Sequence, residues 1–132
     1  MQGAIANTER LAIYVLDSGK LKASGVHWRA FIPGNDGERS FFRTDGLTVE
    51  QISRIGQREV GDPEGRPIRG WAQLIAQNVL DARPLQLIPA EPPERHGVII
   101  NWPPEIQERN KLAMQLANVA LKHEWPLPSL GA

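Results

Sequence analysis

Cysteine is absent from all 132 residues. That removes disulfide staples, thiolate metal sites and cysteine nucleophiles together. Long apolar runs are missing as well. The uninterrupted ones are only a few residues long, against the ~20 needed to span a bilayer. Met1 to Ala6 is neither basic nor followed by an apolar run of signal-peptide length. The expectation is a soluble, intracellular protein of the cytoplasm. No charge of either sign predominates: fifteen Lys and Arg face fifteen Asp and Glu. No global field therefore recruits nucleic acid, which is not an expected partner, and no membrane is expected either.

Familiar catalytic and phosphate-binding motifs are lacking too. There is no G-x-x-x-x-G-K-[ST], G-x-G-x-x-G, H-E-x-x-H, G-x-S-x-G or EF-hand loop. His27, His96 and His123 are spread over 96 positions, with no two at i, i+3 or i+4. Nothing in that spacing asks for a metal, and no cofactor is expected.

What is present is an ordinary globular composition, 41% apolar and 23% charged. A chain of this length makes one domain and buries roughly two-thirds of its unfolded surface. The reading divides it into a polar lead-in over 1–9, a domain over 10–125 and a loose tail over 126–132. Eleven of the fifteen cations are arginine, the cation suited to planar, bidentate contacts.

Leu11 to Leu16 is a β-type run closed by Asp17-Ser18-Gly19. Val26 to Ile32 alternates apolar and polar with period two, which predicts a half-buried strand. Pro33 to Gly37 is turn chemistry, and Ser40 to Arg43 follows as the second strand of a hairpin. Thr48 and Gln51 form a capping box for a helix over about 49–57. Asp62-Pro63-Glu64-Gly65 is a turn signal. Arg66 to Ala72 suits a strand leading to a helix over 73–81, although Trp71, Leu74, Ile75, Asn78 and Val79 also fit a helix starting at Gly70. Leu85 to Ile88 and Gly97 to Asn101 are short strands. Pro103 and Pro104 open a last amphipathic helix that carries Lys122 and His123 at its end. The fold class expected is α/β (α+β): a single two-layer domain whose mixed or antiparallel sheet of about four to five strands is covered by two to three helices.

Two sets of residues are candidates for function. His27, Arg43 and His96 sit in or beside predicted strands; converging, they could bind a phosphate- or carboxylate-bearing substrate or move a proton on it. Against this, a His or Arg at a strand end commonly pairs with a carboxylate, here Glu38, Asp45 or Glu94. Arg95, Trp102 and Trp125 are the second set. Both tryptophans stand among prolines at the ends of the last helix, a stiff surface suited to a protein partner or a staple holding the helix ends to the sheet. Trp28 and Trp71 have apolar neighbours in phase and read as core.

The succession H-W-R-A-F-I-P, S-F-F-R-T-D-G-L and P-P-E-R-H-G-V-I-I-N-W-P before a final helix resembles a family of small bacterial proteins with no established activity, accessory to variable loci that include defence loci. The resemblance covers about Ala12 to Leu121, with Arg43, Leu47, Pro92, Pro93, Arg95, His96, Trp102 and Pro103 as landmarks. It implies one compact domain and assigns no catalytic residue. The function expected is a non-enzymatic binding or accessory module acting through protein contacts. The alternative is a small enzyme or ligand-binding protein for an anionic substrate.

Overall fold

A computed structural model describes residues 3–126. Its centre is an antiparallel six-stranded sheet in the order β6-β7-β4-β1-β5-β8. The strands are β1 (Arg10–Val15), β4 (Arg39–Arg43), β5 (Gly70–Ile75), β6 (Gln86–Pro89), β7 (His96–Ile100) and β8 (Leu121–Glu124). A second, two-stranded sheet joins β2 (Leu21–Lys22) to β3 (Gly25–Val26). The main sheet thus exceeds the four to five strands expected. The helices are α1 (Val49–Gly56), α2 (Asp62–Glu64), α3 (Ala76–Asp81) and α4 (Ile106–Val119).

Strand alternation sends successive side chains to opposite faces, and both faces are covered, giving three layers where two were expected. Leu11, Ile13 and Val15 of β1 join Phe41, Ala72, Leu74 and Ile99 under α3 and α4. Ala12, Tyr14, Phe42 and Trp71 form a second core with Ile52 of α1 and Ile68. Burying one such large side chain contributes about 1.5–3 kcal/mol.

α1 forms where the capping box predicts: Thr48 Oγ1 accepts from Gln51 N at 3.2 Å, and Gln51 Oε1 accepts from Thr48 N at 2.8 Å. It settles onto Tyr14 because Gly56 has no side chain; a Cβ there would run into the Tyr14 ring. The Tyr14 hydroxyl donates to Ile52 O at 2.6 Å, and burial raises its pKa, so it stays a neutral donor.

Three expected elements differ. The strand over 26–32 stops at Val26, and Trp28–Phe31 winds into a 3-10 turn with Ala30 and Phe31 buried in succession. Arg29 N donates to His27 Nδ1 at 3.1 Å and closes that turn, a side-chain option that alternation does not register. The partner expected for it, β4, pairs with β1 and β7 instead. Finally, α4 ends at Val119, not at His123. Lys122 and His123 lie in β8 opposite Ala72 and Trp71, and the His123 ring stacks on Trp71 at 5.3 Å. Gly70, with φ at +151, makes that pairing possible, since a Cβ there would collide with the His123 carbonyl.

No helix among the described residues is long and apolar enough to cross a membrane. Of the expected tail only Pro126 lies within the described residues.

Candidate functional site

The residues singled out from the sequence are all placed, and they do not form one cluster. Arg43 is buried on the α4 side of the sheet, where Nε and Nη2 bind the two oxygens of Glu9 at 2.7 and 2.8 Å. It also donates from Nη1 to Gly3 O and from Nη2 to Ala4 O, so it ties the first residues of the described chain to β4. Its partner is Glu9, not Glu38, Asp45 or Glu94 as expected; the pair lies 34 residues apart and leaves no local trace. The Arg43 guanidinium holds the Glu9 carboxyl below its ordinary value, and Glu9 raises Arg43 in return.

His96 lies opposite Phe42 in the β4–β7 ladder and so faces the other side of the sheet from Arg43. Its Nδ1 is 2.8 Å from Ala90 O and its Nε2 is 3.1 Å from Ser40 Oγ. A carbonyl only accepts, so Nδ1 carries a proton and donates to Ala90 O, while the Ser40 hydroxyl can serve as either donor or acceptor toward Nε2. Arg95, with φ at +72, donates from Nη1 to Arg43 O and Asp45 O, clamping the loop before β7 to the end of β4. Trp102 Nε1 donates to Ile99 O at 3.1 Å and its ring packs on the α4-side core. Trp125 packs against Trp71 at 6.3 Å. Both tryptophans are half-buried and hold their segments to the sheet.

His27 stands apart from these. It caps the 3-10 turn beside a groove of about 350 Å³ between the β2–β3 hairpin and α4. Val26, Trp28, Met114 and Ala117 supply apolar walls and Lys22 a cation; no carboxylate lines it. The imidazole stacks on Trp28 at 5.5 Å, and the Arg29 guanidinium lies 4.9 Å from the Trp28 ring centre. Lys20, Lys22 and Arg29 make no ion pair among the described residues. Desolvation, then the fields of Lys22, Arg29 and Lys20, lowers the His27 pKa, so the ring is neutral near pH 7. Trp28, read as core from the sequence, packs against the α4-side core while staying partly exposed.

A second cleft, of about 490 Å³, opens where β1 and β4 diverge. Their ladder holds only Leu11 to Arg43 and Ala12 to Phe42. Beyond it Arg39 reaches across, donating from Nε to Ala30 O at 2.9 Å and from Nη2 to Tyr14 O at 3.5 Å. Burial lowers its pKa to about 10. Arg39 follows a turn cluster in the sequence, where an arginine ordinarily points to solvent.

Among the described residues no group of three or more His, Cys, Asp or Glu is arranged to hold a metal ion. No family model, curated protein or solved structure matches the chain.

Proposed function

We propose that the protein is a binding module that docks a partner protein on the groove between the β2–β3 hairpin and α4. The partner segment is acidic and carries an apolar anchor. The observation carrying this reading is the Trp28 site: a partly exposed indole, stacked with His27 and Arg29, opening on a groove of mixed apolar and polar walls that Lys22 lines and no carboxylate does. An aliphatic or aromatic anchor laid between Trp28 and Met114 leaves water, while neighbouring Asp or Glu side chains meet Lys22 and Arg29. This retains the expectation of a protein partner and moves the contact from Trp102 and Trp125 to Trp28. Three apolar side chains along the groove and a single open ring favour a peptide over the series of stacking rings with which single-stranded nucleic acid is held.

Selection from a random peptide display library tests it. Enriched peptides are expected to pair an acidic run with one large apolar residue, to bind less tightly as salt rises, and to lose binding at least tenfold to a Trp28→Ala variant and severalfold to Lys22→Glu. Enrichment without acidic bias, equal binding by both variants, or displacement of the peptides by oligo-dT at equal concentration overturns it.

A further inference from the structure

We propose that the cleft between the diverging ends of β1 and β4 binds a small molecule through a carboxylate or phosphate group held by Arg39. The site lies on different residues from the docking groove and does not depend on it.

Arg39 and Arg43 stand four apart on β4, and the bidentate partner that Arg43 finds in Glu9 has no counterpart at Arg39. Among the described residues the Arg39 guanidinium forms no ion pair; its bonds go to the carbonyls of Ala30 and Tyr14. A guanidinium has five N–H donors in a planar fork. Two are directed at those carbonyls, one at the long distance of 3.5 Å. The rest remain for a planar anion approached in bidentate fashion. A partly desolvated cation with no anion is costly to hold, and a ligand anion meeting it in the cleft offsets that cost. Lys20 and Arg66 line the same cleft. Arg66 donates from Nη2 to Leu16 O at 2.9 Å, which leaves its other N–H groups uncommitted among the described residues.

The carboxylates of the cleft limit which anions fit. Asp17, Glu59 and Glu64 also line the cleft. Asp17 is engaged by Gly19 N and Glu59 by Arg58, whereas Glu64 has no hydrogen bond or ion pair among the described residues. A polyanion would meet these carboxylates. The cleft suits a ligand with one anionic group for Arg39 and a donor, an ammonium or hydroxyls, from which Glu64 can accept. Val15, Val60, Tyr14 and Phe42 also line the cleft, whose volume of about 490 Å³ leaves room for a short carbon skeleton.

The test follows arginine Nε–H resonances and thermal stability of the intact chain while inorganic phosphate, succinate and β-alanine are added separately against sodium chloride at matched ionic strength. Saturable movement of the Arg39 resonance is expected with at least one of them. β-Alanine above succinate assigns a carboxylate with an ammonium end, and phosphate above both assigns a phosphate ester. Arg66→Gln, an exposed position, should weaken binding severalfold with the fold intact, and Arg39→Met should abolish it. No saturable movement with any of the three, or equal binding by the folded Arg66→Gln and Arg39→Met variants, overturns the proposal. Should Arg39→Met fail to fold, the wild-type titration and Arg66→Gln alone decide.

Discussion

Two arginines of one strand make the most informative contrast in the molecule. Arg39 and Arg43 both leave β4 on its α4-facing side, since they flank buried Phe41 at alternate positions. Arg43 meets a carboxylate in bidentate geometry and two backbone carbonyls besides. Arg39 meets carbonyls alone. The strand and the face are the same, so residue type and periodicity do not separate a structural cation from an available one. What separates them is which distant segment folds over each: the turn before β1 brings Glu9 to Arg43, and the 3-10 turn brings only the Ala30 carbonyl to Arg39.

The contrast breaks first at Arg43. Replacing it with methionine leaves the Glu9 carboxylate buried without its partner and releases Gly3 and Ala4. Removing one member of a buried ion pair costs about 3–5 kcal/mol, and chemical denaturation at neutral pH should show a loss of that order. A loss below about 1 kcal/mol would mean that the pair is solvated and the architecture around β4 is not as described.

A smaller effect comes with acid. The Glu9 carboxyl is held below its ordinary value of 4.5, chiefly by its bonds to Arg43. A depressed folded-state pKa contributes stability that is complete above the unfolded value and is lost as pH falls through the folded one. Glu91, lowered mainly by its bond from Arg95 N, acts in the same direction. Urea midpoints should therefore fall as pH drops below about 4.5. In Glu9→Gln most of that decline should vanish; an unchanged decline would assign it to other carboxylates.

His96 belongs with Arg43 in kind, as a group whose bonds are internal. It joins the Ala90 carbonyl to Ser40 across the β4–β7 ladder, partly open to solvent. His96→Ala should cost roughly 1 kcal/mol, the usual worth of one or two net hydrogen bonds, and should leave peptide binding at Trp28 unchanged. A loss of peptide binding would join His96 to the docking face.

How much of this was legible beforehand depends on the range of each interaction. α1 stands where the Thr48–Gln51 box places it, because both bonds of the box span three residues. β7 was visible as a short apolar run, since a strand covered on both faces is nearly all apolar. Long-range choices were not visible. Lys122 and His123 suit the end of a helix by charge, yet pairing with β5 and stacking on Trp71 draw them into β8; tertiary contacts override so weak a propensity. Arg43 and His96 lie in strands as expected, whereas His27 caps a 3-10 turn, and convergence of the three was a question of strand order. The order β7-β4-β1 sets His96 and Arg43 on neighbouring strands with opposite facing, and His27 lies outside the sheet altogether. Trp28 was assigned by its phase in a strand that turns out to be a 3-10 turn.

The smallest stability effect sharpens the comparison most. Arg39→Met replaces a desolvated cation with an apolar side chain of similar length, and such exchanges are often neutral or stabilising when no carboxylate is left behind. The carbonyls of Ala30 and Tyr14 lose a donor, a loss of about 1 kcal/mol that the relief of desolvation opposes. The net change in denaturation free energy without added anions should stay within about 1 kcal/mol, against the several lost at Arg43. Saturating ligand should widen the gap between wild type and variant, because only the wild type gains binding free energy on the folded side. A structural role for Arg39 equal to that of Arg43 would instead show as a large loss without ligand that no ligand changes. Near-neutrality without ligand together with divergence in its presence distinguishes a cation kept for binding from one kept for the fold.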